Sequence, residues 1–352
     1  MTGPNDIEGV ALEATALQIV SLQRESGMIL LARESGADPW NHVEAAIGLD
    51  LAGRHDLALG AYRWLAATQG ADGSWPATYD RVGVASADYV DTNAVGYVAS
   101  GVLAHLAATG DDASCAGLYP MVETALEFIC ARERGTGTVP WSVADDGSES
   151  PLRLLTGSSS LVSSLRHGAE LASRLGHDGA QWRAASDRIA GEIAAREGDF
   201  ADKSEFAMDW YYPVLAGVIN GEAALTRLRA GESRFVTPDG VLCRSDRRWV
   251  TSAETAEAAI AYVRAGDAER ARSLFATLVD KRLPSGGYLT GLVYPERSEF
   301  PKGESTSYSD AAVLIAADVL EGGLSNVLFG DAAPEVEVAT PVARSTRKLS
   351  AA

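Results

Sequence analysis

A chain of 352 residues that is 46% hydrophobic can bury one large core or two ordinary ones. Its formal charge of −18 argues against nucleic-acid and anionic-membrane partners, whose phosphates its field would repel. No apolar run reaches the ~20 residues of a membrane span, residues 1–8 are polar and acidic rather than a signal segment, and Cys115, Cys130 and Cys243 show neither metal nor paired spacing, so a cytoplasmic protein is expected.

In chain order, two kinds of helix alternate. The first kind is amphipathic, with apolar residues at three- and four-residue spacing such as Ala14-Leu17-Ile19-Leu22, Leu57-Leu59-Tyr62-Leu65, Trp182-Ala185-Ile189-Ile193 and Ala271-Leu274-Leu278. This spacing predicts outer helices over 12–25, 54–69, 118–132, 181–196, 221–230 and 267–281. After each comes a loop carrying carboxylates, hydroxyls or aromatics, and then a helix rich in Ala, Gly, Val and Leu. The six openings begin at Trp40, Asp91, Thr156, Asp209, Thr251 and Ser305. Helices this poor in charge are buried all round. Six of them alternating with six amphipathic ones predict an all-α (α/α)6 toroid, its inner ring lining a central cleft. Gly-rich breaks at 70–73, 135–137, 231 and 286–287 punctuate the pairs, and β-branched alternation is confined to pieces such as 287–293. No linker interrupts the pattern, so a single catalytic barrel is expected over 1–325. Residues 326–352, with Pro334 and Pro341, read as a flexible tail.

Residues at the starts of the inner helices converge on one end of such a toroid. Trp40, Trp75, Trp141, Trp210 and Trp249, five of the seven tryptophans, lie in the loops feeding that rim, together with Tyr89, Tyr211, Tyr212, Tyr288, Tyr294 and Tyr308. Aromatic faces stack on the C–H face of a sugar while polar neighbours meet its hydroxyls. A glycan is therefore the expected ligand, bound by Trp40, His42, Glu44, Trp75, Asp91, Asn93, Ser158, Trp210, Tyr211, Trp249 and Tyr294. The competing reading is that the rings only close the barrel ends by packing.

Asp38, Glu44, Asp91, Asp209 and Glu254 share the rim. Each alone is explained by helix starts, which favour Asp and Glu: Thr251-x-x-Glu254 and Asn41-x-x-Glu44 read as capping boxes, and Asp91 as a cap. Gathered in one aromatic cavity, they would raise at least one pKa into a useful range. Glycoside hydrolysis needs two such groups flanking the scissile bond. Asp38 and Glu254, from distant repeats, are the leading catalytic pair and Asp209 the third candidate. His42 is also explained as a satisfied structural histidine, and His105 and His167 as core. Thr156-Gly157-Ser158-Ser159-Ser160 lacks a triad partner and the glycine spacing of a nucleophile elbow, and reads as an N-cap with hydroxyls facing the cavity. With no phosphate loop or metal cluster in the sequence, no metal or organic cofactor is expected.

Gln69-x3-Gly73-Ser74-Trp75 resembles the Q-x-x-x-G-x-W element of triterpene cyclases and related α/α-barrel prenyltransferases, which ties barrel repeats together. The D-x-D-D acid motif and the Asp/Cys/His zinc set of those enzymes are missing. A closer resemblance covers most of residues 10–330. It is carried by Asp38-Pro39-Trp40-Asn41-His42-Val43-Glu44-Ala45-Ala46, Asp72-Gly73-Ser74-Trp75, Asp91-Thr92-Asn93, Leu155-Thr156-Gly157-Ser158-Ser159-Ser160, Met208-Asp209-Trp210-Tyr211-Tyr212-Pro213 and Trp249-Val250-Thr251-Ser252-Ala253-Glu254. These resemble an actinobacterial (α/α)6 family that includes the mycobacterial methylmannose-polysaccharide hydrolases, endo-acting α-(1→4)-mannosidases. The resemblance implies cleavage of cytoplasmic α-mannan, partly 3-O-methylated, into oligomannosides. Analogy with other α/α-toroid hydrolases implies inversion. The alternatives are a terpenoid cyclase or prenyltransferase-like enzyme with an apolar cavity, and a non-catalytic glycan-binding protein.

Overall fold

The computed structural model describes residues 12–330, preceded by the backbone of two short paired strands, β1 (Asp6–Ile7) and β2 (Val10–Ala11). Six inner helices form a closed ring: α2 (Pro39–Leu51), α4 (Thr92–Thr109), α6 (Leu155–Arg174), α8 (Ala207–Leu215), α10 (Ser252–Arg264) and α12 (Ser307–Leu320). Each packs on the next, and α12 returns to α2. Around them stand α1 (Leu12–Leu22), α3 (His55–Thr68), α5 (Asp112–Glu133), α7 (Ala180–Arg196), α9 (Gly221–Phe235) and α11 (Ala268–Ala276). The expected toroid is the observed one, and one continuous apolar core joins its two layers. No helix among the described residues is long and apolar enough to cross a membrane.

Small residues let the inner helices approach closely. A Cβ at Gly101 of α4 would lie 2.7 Å from both Val43 of α2 and Tyr62 of α3. The outer helices are tied by a repeated device. Gln23 and Gln69 stand four residues before Gly27 and Gly73, whose φ values of 96° and 89° suit glycine. Gln69 Nε2 donates to Gly73 O and to Met121 O of α5, both at 2.9 Å. Gln23 does the same with Gly27 O and Leu57 O of α3. In the third copy Glu133 accepts from the Gly135 and Gly137 amides and pairs with Arg188 of α7. The Q-x-x-x-G element is thus a fastener between repeats.

Three expectations are corrected. α5 begins earlier than residue 118, because Asp111 caps it by accepting from Ser114 N and the helix runs on through Pro120. Gly231 is no break: it lies inside α9, where a Cβ would come within 2.3 Å of the Trp210 indole. The tail does not begin at 326, because α13 (Asn326–Phe329) buries Leu328 and Phe329. His167 Nε2 donates to Leu328 O at 3.1 Å, anchoring it; residues 331–352 lie outside those described.

The loops that feed the ring carry small antiparallel sheets. β3 (Tyr89–Asp91) pairs with β4 (Ser142–Ala144), and β5 (Val236–Thr237), β6 (Gly240–Leu242), β7 (Trp249–Thr251), β8 (Gly291–Val293) and β9 (Ser298–Glu299) follow one another in a five-stranded sheet. β3 runs straight into α4 and β7 into α10. Strand register therefore fixes two helix starts: Asp91 faces Ser142, and Thr251 faces Val241 and Gly291.

Candidate active site

The N-terminal ends of α2, α4, α6, α8 and α12 open into a cleft of about 520 Å³. Its carboxylates are Asp38, Asp91 and Asp209, its amides Asn41 and Asn93, and its rings Trp40, Tyr89, Trp141, Phe206 and Tyr308. Asp38 caps α2, with Pro39 at the first helical position where no N–H is needed. Its Oδ1 accepts from Asn41 N at 2.9 Å and its Oδ2 from Asn41 Nδ2 at 2.6 Å. The cap partner is thus Asn41, and the expected Asn41-x-x-Glu44 box does not form. Asp91 caps α4 as expected, accepting from Asn93 N and Ala94 N. Asp209 lies in the first turn of α8, and its Oδ1 accepts from Thr156 Oγ1 at 2.6 Å, bridging α6 to α8. Asn93 Oδ1 is buried and has no hydrogen-bond partner among the described residues. An unmet acceptor costs about 1–3 kcal/mol, which a ligand hydroxyl would recover.

Burial raises the pKa of all three carboxylates. Desolvation pushes Asp91 up to about 6 against the hydrogen bonds of its cap, and the charge of Asp38 adds to the rise. Asp38 and Asp209 are raised by the same desolvation, opposed by Asn41 and Thr156 respectively. Glu254 is placed differently. It sits in the first turn of α10, half-buried, and accepts a hydrogen bond from the Thr251 hydroxyl. It is not part of the cleft wall, although its charge bears on the hydroxyls of Tyr211 and Tyr308. The helix facing α2 across the ring is α8, since α2 touches α4 and α12. Asp209, rather than Glu254, thus starts the helix opposite that of Asp38.

Beneath the cleft lies a buried layer of phenols and acids. Trp40 stacks on Tyr97, with centroids 4.1 Å apart and planes at 12°, and the Tyr97 hydroxyl donates to Glu44 Oε1 at 2.5 Å. Tyr308 donates to one oxygen of Glu257 and Tyr211 to the other. Desolvation raises Glu44 to about 7 and, with the charge of Glu44 added, Glu257 to about 8. Sequence reasoning missed Glu257, although an acid in the middle of a charge-poor helix, one turn beyond Glu254, was a signal. It also did not single out Lys203 and Phe206, which line the cleft from the loop before α8, or Met208 in the first turn of that helix.

The structure brings Asp38, Trp40, Asp91, Asn93 and Asp209 together in the cleft and places other expected ligands elsewhere. His42 is buried with both nitrogens used: Nδ1 accepts from Ile29 N and Nε2 donates to Ala61 O, each at 3.0 Å. Burial lowers its pKa to about 4, which keeps it neutral. Trp75 is 1% exposed and donates to Leu65 O. Glu44 and Tyr211 belong to the buried layer. Ser158, Ser159 and Ser160 are buried in α6, whose cap is Leu154 rather than Thr156. Trp210 faces a second cavity behind α8. Trp249 donates to Phe300 O at 2.8 Å, and Tyr294 precedes a cis proline in the turn between β8 and β9; neither lines the cleft. The wall of three carboxylates and two amides is unlike the apolar cavity expected of a terpenoid cyclase.

Comparison with known proteins locates this arrangement. No family model matches the chain. Over 307 residues, 87% of this chain and 85% of the other, it is 38% identical to the MMP endo-(1,4)-3-O-methyl-alpha-D-mannosidase of Mycolicibacterium hassiacum. Among solved structures, a wild-type glycosidase superposes with a TM-score of 0.68 at 15% identity, covering 90% of this chain and 96% of its own. The GH63 mannosylglycerate hydrolase from Thermus thermophilus in complex with glucose gives 0.66 at 13% identity, over 87% and 99%. At such identities the likeness shows a shared fold and no more.

Proposed function

Since this chain belongs to the family of the mycobacterial MMP endo-(1,4)-3-O-methyl-alpha-D-mannosidase, we propose that it is an endo-acting α-(1→4)-mannosidase. Its substrate in this reading is a cytoplasmic mannan, plain or 3-O-methylated, cut into oligomannosides. The observation that carries the reading is the set of three desolvated carboxylates beside the Trp40–Tyr97 stack in one open cleft. Stacking holds a sugar ring, and the carboxylates supply proton transfer where the ring is held.

Asp38 acts as general acid. Burial favours its protonated form, and it shares the cleft wall with Asp91, a like charge whose pKa it raises in turn. It gives its proton to the glycosidic oxygen as the C–O bond breaks. Glu254, at the start of α10 with its charge reaching Tyr308 of the cleft wall, acts as base, taking a proton from the water that attacks the anomeric carbon on the opposite face. Asp209 is less suited to that role, because burial favours its neutral form and Thr156 occupies Oδ1. Attack from the opposite face inverts the anomeric centre, so the first-formed product is the β-anomer.

The reading is tested by incubating the protein with α-(1→4)-mannooligosaccharides, methylated and plain, and following products by chromatography and early-time proton NMR. Internal cleavage with initial β-anomer is expected. Release of mannose only from chain ends, or initial α-anomer, would contradict endo action or inversion respectively.

A further inference from the structure

Behind the cleft lies a second cavity of about 590 Å³, between the loop after α7 and the face of α9. Lys203 and Asp209 line both cavities, so the two meet at the first turn of α8. We propose that this second cavity holds distal sugar residues of the glycan, extending the binding groove beyond the cleft. The inference rests on the glycosidase reading above and adds to it where the polymer runs.

The cavity is built rather than incidental. Trp210 lies flat on Phe235, with centroids 5.3 Å apart and planes at 13°. Its indole donates to Leu228 O at 3.0 Å, and Gly231 leaves room for the ring where a Cβ would come within 2.3 Å of it. Arg227 clamps the same turn, donating to Trp210 O at 2.8 Å, Asp209 O at 2.7 Å and Glu197 Oε1 at 2.8 Å. Arg234 stands exposed at the wall, donating from one nitrogen to Ser204 O at 3.0 Å and Ser245 Oγ at 3.4 Å, and its guanidinium carries five N–H donors in all. Cations and acids alternate here, Arg227 with Glu197 and Arg234 near Asp202. A neutral, hydroxyl-rich ligand meets donors and acceptors in such a wall, whereas an anion meets Glu197 and Asp202. An endo-acting enzyme also needs sugar sites well away from the bond it cuts, and one cleft of about 520 Å³ is of the size that holds a single small ligand.

Two variants at exposed positions of α9 test this. Ala230→Trp fills the cavity and Arg234→Ala removes a donor, and neither touches the cleft. kcat/KM is measured for both, and for the wild type, on α-(1→4)-linked mannotriose and a mannododecaose. On the long chain both variants are expected to lose about tenfold, and on the trisaccharide less than about twofold. Equal losses on both substrates, or no loss on either, would overturn the proposal. Binding is followed separately by calorimetry with the same two glycans. If the wild type binds but does not cut, the glycosidase reading fails, and weaker binding of only the long chain by Ala230→Trp still decides the groove. Wild type that binds neither glycan overturns both.

Discussion

Asp38 and Asp91 each do two things at once: they cap adjacent inner helices and present carboxyl groups to one cleft. Capping explains why each acid alone carries no functional signal, since helix starts select Asp for local reasons. Their closeness is what changes the chemistry, because two carboxylates in one desolvated wall do not both ionise readily. Activity that needs a protonated Asp38 falls as pH rises, and because the two acids repel when both ionise, the pair holds its last proton longer than Asp38 alone would. Asp91→Asn, which keeps the cap, is expected to move the alkaline limb of the kcat/KM–pH profile about 0.5–1 unit lower. An unmoved limb would separate Asp91 from the acid. At this scale the sequence was half legible. Asp38, Trp40, Asp91, Asn93 and Asp209 stood out by position, but His42, Trp75 and Ser158 share that position and turn inward. Which way such a side chain faces depends on the backbone groups that folding brings to it, Ile29 N and Ala61 O for His42 and Leu65 O for Trp75, and the pattern of residue types does not record it.

Helices and their fasteners were read more successfully, for physical reasons. Charge-poor inner helices and striped outer ones differ in composition over about a dozen residues, so single errors average out. Boundaries failed where one residue had two meanings. Gly231 reads as a helix stop, yet it is a helical glycine making room for Trp210. The Q-x-x-x-G fasteners lead to a prediction of their own. Gly73 holds φ at +89°, and a Cβ there would lie 2.3 Å from Thr124 O, so strain and clash act together. Gly73→Ala is expected to destabilise the fold by about 2 kcal/mol or more, read as a lower urea midpoint. Gly53, also at positive φ but with nothing near its Cβ site, is the control, and Gly53→Ala is expected to cost less. Equal losses would remove the packing part of the explanation.

The whole ring sets which acids face which. Closure of α12 on α2 puts α8 across from α2 and α10 across from α4, a geometry that repeat order alone did not make plain. It also creates the layer under the cleft, where Glu44 and Glu257 hold protons to about 7 and about 8. An unfolded Glu257 ionises near 4.5, while the folded one stays protonated to about 8. Its contribution to stability is therefore full below 4.5 and is lost as pH rises toward 8. Glu257→Gln cannot ionise, so its melting temperature relative to wild type is expected to be higher at alkaline than at acid pH. A pH-independent difference would contradict a protonated Glu257. The claim at the centre of the account is that carboxylates at one rim of this ring hydrolyse a mannan. It is tested most directly by kcat/KM for wild type, Asp38→Asn, Glu254→Gln and Asp209→Asn on one α-(1→4)-mannooligosaccharide. Asp38→Asn and Glu254→Gln are expected to lose at least about a hundredfold with folding intact, and Asp209→Asn clearly less. Wild-type activity in either of the first two, or no cleavage by the wild type itself, would contradict it.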